Sequence, residues 1–585
     1  MTRTARALIE SAPEGDARRV PGRGRPASLR VDGQVVLFVV IAGALVVGVL
    51  IRVWYLQHDP IDADEALVGI LARYMLAGHA SAFLLGQRYG GVEPYLVAAG
   101  FWLGGSSALV LELPVVILSA VGSLLVWRVA LRLVHRPALA VAAAAAMWAA
   151  PQSAVWNSTL EYGFRGVTLV CGLAMLLLAL RATQGDAARW ELPALGLVAG
   201  IGWWSSPEIV YFALPAALWM LRWVWRMRMA WRQELVAWGA GVVAAGLGAL
   251  PWLWDNVTTG FGSLRVSQFD APPSPPPFLG RLGIFVRDVA PMVMDLRAPR
   301  SGAWDVPMVL GIGAAVVMGA VIAGAGIWCA VRRTKGAALG VAVLAYPLFM
   351  AAVPASAAWQ SGRYTNFFVP LALLLVVAAL DDVLSWRATR SPAAGLPAPR
   401  AVARRTRRRL GRAASLWVAC ALVVVIVLSV VSFAVLARIN DPPAARLGSG
   451  NPDAPAEALV ASLERAHITI GYADYWVAYT LDFLSRGGLS ITDAPPSPDR
   501  LPAVMAAVRS APARRQAWIF VSPTPTARAE YADTPVIQGP AGVSERAFLA
   551  DAARRRIACH VRRVTGADVV VCSRAVSFAD LGLPT

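Results

Sequence analysis

Val35-Val36-Leu37-Phe38-Val39-Val40 opens an apolar run that continues to Tyr55 with Arg52 as its one charge, about 21 residues in all. At 1.5 Å per residue this run is long enough to cross a hydrocarbon core of roughly 30 Å as a helix. It is followed at once by His58-Asp59-Pro60-Ile61-Asp62-Ala63-Asp64-Glu65-Ala66, three Asp and one Glu within seven residues, and then by a helix-like apolar segment from Ala66 to Leu76. Polar residues that merely stop a helix leaving lipid would account for one Asp. Four acids at a membrane surface read equally as a polar stop and as chemistry there.

The 585 residues are 57% hydrophobic and 15% charged, too apolar for a soluble globular protein. The net charge of +18 comes from Arg blocks set between apolar runs, the pattern of cytoplasmic membrane loops, and no basic-aromatic module for nucleic acid is present. Residues 1–33 carry seven Arg among Pro, Gly and Ser without apolar periodicity and are expected to form a disordered cytoplasmic arm. The first run is too long for a signal-peptide core and has no small-residue cleavage site behind it, so it reads as a span running from inside to outside.

Further spans are expected near 114–134, 138–154, 165–181, 190–205, 208–225, 234–254, 304–331, 338–355, 365–385 and 414–437, about eleven in all, in a transmembrane domain over 34–438. With eleven, every Arg cluster falls on the side of the amino terminus: Arg128, Arg132 and Arg136; Arg181 and Arg189; Arg222, Arg226 and Arg228; Arg332, Arg333 and Lys335; and nine Arg from Arg387 to Arg412. The acidic stretch, the segments 57–113, 154–164, 255–303 and 356–364, and the carboxyl-terminal domain over 439–585 then lie outside. Glu112, Glu161, Arg165, Glu208, Asp255 and Arg363 sit at outer span ends, whereas the middles carry almost no charge. Ion-coupled transporters keep ionisable groups near the midplane, so this distribution favours chemistry at the outer face. A lipid or polysaccharide transporter, or a non-catalytic envelope-assembly scaffold, remains as the alternative.

The outer loop Gly86-Gln87-Arg88-Tyr89-Gly90-Gly91-Val92-Glu93-Pro94-Tyr95 allows tight backbone approach at its glycines, with Arg88 suited to phosphate and Glu93 and Tyr89 to hydroxyls; an ordinary polar turn between interfacial helices reads equally from this segment alone. Trp203-Trp204-Ser205-Ser206-Pro207-Glu208 joins two spans, its aromatics reading first as interfacial anchors. Residues 278–294, after a Pro-rich stretch, are expected to lie in the interface. Gln360-Ser361-Gly362-Arg363-Tyr364 opens the tenth span; Arg363 either snorkels to head groups or supplies a forked donor to a phosphorylated lipid.

Taken in order, the Asp-Glu pair outside the first span, the interfacial helix, the Gly-Gln-Arg-Tyr-Gly-Gly-Val-Glu loop, Trp-Ser-Ser-Pro-Glu before a span and Gly-Arg-Tyr opening a late span resemble the GT-C superfamily of membrane glycosyltransferases. The likeness covers about residues 35–385 and is nearest to the family 39-like branch, similar to protein mannosyltransferases and the lipid A aminoarabinose transferase. The resemblance implies a GT-C-like fold, a polyprenyl-phosphate-linked sugar donor used at the outer leaflet, and inverting transfer to a hydroxyl of an envelope glycan, lipid or protein. It places the catalytic Asp on Asp64 with Glu65 beside it and the donor-phosphate Arg on Arg363; Tyr364 and Glu208, within the quoted stretches, are expected substrate contacts. Two departures stand out: Glu112 occupies a position where relatives commonly carry Arg, and Asp62 is an additional acid that leaves the base open between two residues.

The chemistry is consistent with these residue types. A carboxylate takes the acceptor proton as the anomeric carbon is attacked, with Asp64 the expected base, and a departing phosphate calls for cations, here Arg363, Arg88 and Arg165. Asp62, Asp64 and Glu65 are hard oxygen donors that allow a divalent metal, Mg or Mn, but their spacing fits no dedicated site. There is no phosphate-cradling Gly-Lys-Ser/Thr loop, dinucleotide fingerprint or metal-spaced Cys/His cluster.

After the last span, helix-like and strand-like segments alternate in a small extracytoplasmic α/β domain, with strands expected at 468–472, 489–492, 517–521, 557–564 and 568–573. Tyr472-Ala473-Asp474-Tyr475-Trp476 reads first as a strand-to-helix junction and second as a sugar-stacking patch. Cys171, Cys329 and Cys420 are expected buried in spans, while Cys559 and Cys572 lie in paired strand-like segments where a disulfide is expected.

Overall fold

The computed structural model describes residues 33–87, 89–184, 190–227, 235–264, 276–297, 303–353, 366–389, 400–440, 453–494, 500–521, 539–564 and 567–578, so of the expected amino-terminal arm only Gly33 falls within it. The chain is a polytopic helical membrane protein. Helix α1 (Gly33–His58) is followed by α2 (Ala63–Leu76) and α3 (Glu93–Gly104), which together carry the acidic stretch and its following loop. Then come α4 (Ala108–Leu133), α5 (Pro137–Ala149), the short α6 (Gln152–Asn157), α7 (Arg165–Thr183), α8 (Glu191–Ser205) and α9 (Val210–Met227). The second half holds α10 (Leu235–Gly248), α11 (Leu250–Thr259), α12 (Phe278–Ile284), α13 (Ala290–Val293), α14 (Met308–Arg332), α15 (Ala337–Ala352), α16 (Phe368–Thr389) and α17 (Arg400–Asn440).

Every expected span contains helix. Among the described residues, six helices are both long and apolar enough to cross a membrane: α1, α4, α7, α14, α16 and the 415–437 part of α17. The pair α10 and α11, bent by 62° at Ala249, makes a seventh if it is one span, and α5 and α15 are shorter apolar helices. Close backbone approach replaces large side chains where α8 meets α10. A Cβ at Gly196 would come within 1.9 Å of the Gly241 carbonyl oxygen, so the two helices pack through glycine, as helices in lipid commonly do.

The carboxyl ends of α4, α7, α9, α14 and α16 converge around one cavity, so these five helices run in the same direction. The opposite ends of α4 and α7 carry Glu112 and Arg165, close to the acidic stretch. The main core, with Leu173, Phe212, Tyr346 and Leu375 among its buried members, fills the space between α4, α5, α7, α9, α15 and α16. Cys171 and Cys329 are buried in it as expected, whereas Cys420 is exposed, because α17 packs against α1 and α5 by a different face.

The carboxyl-terminal segment folds around a five-stranded sheet in the order β2-β1-β3-β5-β4, built from β1 (Ile470–Tyr472), β2 (Ser490–Thr492), β3 (Gln516–Val521), β4 (Cys559–Val564) and β5 (Ala567–Cys572). β1 pairs in parallel with β2 and β3, while β5 pairs antiparallel with β3 and β4. Four helices accompany it: α18 (Ala454–Arg465), α19 (Tyr475–Leu484), α20 (Pro502–Ser510) and α21 (Glu545–Arg554). Trp518, Ile519 and Phe520 make β3 the buried middle strand, and the edge strand β4 bears exposed Arg562 and Arg563, charges that discourage pairing with another chain. Cys559 and Cys572 face each other in the β4–β5 register and are disulfide-bonded.

This domain is not tethered at a distance. Tyr479, Phe483 and Leu501 share a single buried cluster with Tyr55, Ile61, Leu71, Phe101 and Trp156 of the membrane portion. α19 lies on α2 so closely that a Cβ on Gly69 would meet the Phe483 ring at 2.4 Å. Arg73 stacks on that ring at 4.3 Å and donates from Nη1 to the Phe483 carbonyl at 2.8 Å.

Candidate active site at the acidic cluster

Asp62 and Glu65 have the Asp-x-x-Glu spacing of a capping box, and the structure forms one. The Asp62 carboxylate accepts from the Glu65 backbone N–H at 2.9 Å, and Glu65 Oε2 accepts from the Asp62 N–H at 3.3 Å. α2 therefore starts at Ala63 rather than at the expected Ala66. Glu65 is fully buried and its other oxygen accepts from the Glu161 N–H at 2.9 Å. Burial, and then the neighbouring Asp62 and Glu112 carboxylates, push its carboxyl well above the usual range. Asp62 and Glu65 are thus fixed by the helix start.

Asp64, between them in sequence, projects elsewhere. Its Oδ1 accepts from the Tyr475 hydroxyl at 2.8 Å, a contact that spans 411 residues of chain. Burial first, then the Asp64 charge, push the Tyr475 phenol well above its ordinary value, so Tyr475 stays a neutral donor. Behind it stands Arg500, 7% exposed, which donates from Nη1 to the Gly86 carbonyl at 3.2 Å. Burial disfavours its charge, and the Asp64 carboxylate with a hydrogen bond to the Tyr475 oxygen favours it. With its amide turned to satisfy both ends, Gln87 donates to the Tyr89 hydroxyl at 3.0 Å and accepts from Arg500 at 3.0 and 3.1 Å. The Gly86–Glu93 loop and the carboxyl-terminal domain therefore meet beside Asp64.

Around this centre lies a second ring of acids. Asp59 is buried and accepts from Trp156 Nε1 at 2.7 Å, and Asp453 accepts from the Ile61 N–H at 3.0 Å. Burial raises the Asp453 carboxyl to about 6. Glu112, buried in the first turns of α4, faces Asp59, Asp453 and Asp62, so the acid at the unusual position joins this cluster instead of offering a cation.

The remaining expected residues divide three ways. Tyr89 sits at the cluster, edge-on to Phe164 at 5.0 Å. Glu93 and Arg165 lie deeper. Glu93 is fully buried, its Oε1 accepting from the Val167 N–H at 2.5 Å at the start of α7, and Glu161 faces it. Burial raises both carboxyls, so the pair retains a proton. Arg165 donates to Asn157 Oδ1 at 3.1 Å and lies 4.3 Å over the Tyr162 ring. Glu208 stands apart, where a short 3₁₀ turn leads into α9 near Tyr211 and Tyr346. Arg88, Arg363 and Tyr364 lie outside the described residues.

Sequence reasoning missed Tyr475, Arg500 and Gln87 as members of this site. Asp474-Tyr475-Trp476 reads in the sequence as a strand-to-helix junction, and Asp474 does cap α19, but nothing in the sequence aims Tyr475 at Asp64. The capping-box spacing, in contrast, was present and separates Asp62 and Glu65 from Asp64. Among the described residues no group of three acids, His or Cys is arranged to hold a divalent metal, and Asp64 faces a phenol and a guanidinium.

Residues 92–254 match the family model described as dolichyl-phosphate-mannose-protein mannosyltransferase. The fold is shared with ArnT from Cupriavidus metallidurans. Its apo form aligns at a TM-score of 0.55 and 18% identity, over 94% of this chain and 99% of that one. The same protein bound to undecaprenyl phosphate aligns at 0.54 and 16% identity, with the same coverage. No curated protein matches in sequence. The likeness to GT-C membrane glycosyltransferases thus rests on sequence over part of the chain and on fold over nearly all of it.

Proposed function

We propose that this chain is an inverting glycosyltransferase that moves a sugar from a polyprenyl-phosphate donor to an acceptor hydroxyl at the outer face of the cytoplasmic membrane. The observation that carries the reading is the division of labour among the three acids at the start of α2: the capping box holds Asp62 and Glu65, while Asp64 points to the meeting place of the loop and the carboxyl-terminal domain. The Asp64 carboxylate takes the proton of the acceptor hydroxyl as its oxygen bonds to the anomeric carbon. The bond from that carbon to the phosphate oxygen breaks in the same displacement, inverting the centre, and the phosphate leaves with the electron pair. Arg363 and Arg88 are assigned to that phosphate, with Arg500 close enough to Asp64 to add positive potential. Arg165 is assigned to holding the buried Glu93–Glu161 pair beneath, and no step passes through a metal. The eleven-span topology, with the amino terminus cytoplasmic and the carboxyl-terminal domain outside, belongs to this proposal.

The test uses the full chain in lipid nanodiscs with a panel of polyprenyl-phosphate sugars, reading release of polyprenyl phosphate in the presence of envelope extracts. Envelope glycan profiling of a deletion strain identifies the acceptor. Turnover that needs Asp64 supports the proposal. Donor binding without turnover under every acceptor condition, together with an unchanged glycan profile, favours the transporter or scaffold alternative.

A further inference from the structure

On the far side of the membrane portion from Asp64, five parallel helices end around a cavity of about 490 Å³. Arg165 and Thr183 mark the two ends of α7, 18 residues apart, so roughly 27 Å of helix separates the acidic cluster from this cavity. That distance is close to the hydrocarbon thickness of a bilayer, which puts the cavity at the opposite interface.

Five cations line it, Arg222, Arg226, Arg332, Arg333 and Lys335, against two acids, Asp381 and Asp382. Both acids are already engaged. Asp381 accepts from Arg136 Nη1 at 2.6 Å and from the His135 backbone N–H at 2.8 Å; Asp382 accepts from Trp328 Nε1 at 2.9 Å and lies 3.8 Å from Arg332 Nε. Among the described residues, no acid pairs with Arg222, Arg226 or Arg333. Arg333 also holds a left-handed backbone (φ 52°) at the end of α14, where glycine is the usual residue. The inner wall is different in kind: Leu133, Leu180, Trp219 and Ala378 are buried and apolar. Loop cations that only set orientation are solvated individually. Here they converge from α9 and the α14–α15 turn onto one concavity that is greasy within and cationic at its rim.

We propose that this cavity binds the phosphate head group of an anionic membrane lipid from that leaflet, with Arg222, Arg226 and Arg333 as the phosphate donors and the tryptophan-lined wall receiving the adjoining apolar chain. Guanidinium forks match phosphate oxygens. The same phosphate chemistry is offered by soluble phosphates, but these have no use for the apolar wall.

The full-length protein in detergent, gently delipidated, is titrated with phosphatidylglycerol, phosphatidylcholine and inorganic pyrophosphate, and bound species are counted by native mass spectrometry. Arg222→Gln with Arg333→Gln removes two exposed cations; at roughly fivefold per basic group, phosphatidylglycerol binding should fall about 25-fold. Arg387→Gln, on the same face but outside the cavity, should leave it unchanged, as should phosphatidylcholine remain weak throughout. Equal phosphatidylglycerol binding in the double variant and the wild type overturns the site. Pyrophosphate binding that depends on Arg222 and Arg333, with no such dependence for phosphatidylglycerol, overturns the lipid as its occupant.

Discussion

Asp64→Asn separates catalysis from folding at this site. Asn keeps an oxygen that accepts from the Tyr475 hydroxyl, so the 2.8 Å contact survives as a neutral hydrogen bond. A hydrogen bond to a charged group contributes about 1.5–3 kcal/mol and a neutral one about 0.5–1.5, so the folded state should lose only about 1 kcal/mol. The N-cap of α2 is kept, because it is Asp62, whose side chain accepts from the Glu65 N–H. The chemical step loses its base, which is worth roughly 10² to 10⁴ in rate, or about 3–5 kcal/mol of barrier. Turnover of the polyprenyl-phosphate sugar in nanodiscs should therefore drop at least about a hundredfold while donor binding and thermal midpoint stay near wild type. Asp62→Asn is the comparison: Asn caps helices as well as Asp does, so α2 should hold and turnover should fall less. Greater loss with Asp62→Asn moves the base to Asp62, and undiminished turnover in both variants refutes the reasoning altogether.

Gly69→Val drives a side chain into the Phe483 ring, and the overpacking of about 1–3 kcal/mol should loosen α19 from α2; limited proteolysis should then cleave the carboxyl-terminal domain faster, and an unchanged cleavage rate counts against the docking. Asp482 is pushed up to about 7 by burial, against the pull of Arg73, so the folded chain keeps a proton that the unfolded chain loses near its ordinary 3.8. Stability should therefore fall by at most about 1.4 kcal/mol per unit as pH rises from about 4 to about 7, and Asp482→Asn should flatten that slope in thermal melts. Replacing Cys559 and Cys572 by Ser reopens a loop of 13 residues' separation and should cost about 3 kcal/mol, read as a lower unfolding midpoint, with mass spectrometry checking the bridge in the wild type. A reporter active only outside the cytoplasm should work when fused after residue 440 and fail near residue 400; the reverse would invert the proposed topology.

Hydrophobic runs located the helices of the membrane portion by themselves, because lipid leaves the backbone no alternative to helix. The same local signals placed the five strands of the carboxyl-terminal sheet within two residues and brought Cys559 opposite Cys572. Even the fate of Asp62 and Glu65 was written locally, in a spacing of three residues that makes a cap. What only the tertiary structure decided was where Asp64 points. Tyr475 and Arg500 reach it because Phe483 fills the notch at Gly69 and because Asp453 and Thr480 bond to the backbone of Ile61, contacts between segments some 400 residues apart. Likewise Glu93, a polar loop residue in the sequence, becomes a buried carboxyl at the start of α7 once α3 packs there. Periodicity and composition report what a segment needs from its neighbours, an apolar partner or water. They do not say which neighbour supplies it, and a site assembled from three distant segments depends on that choice.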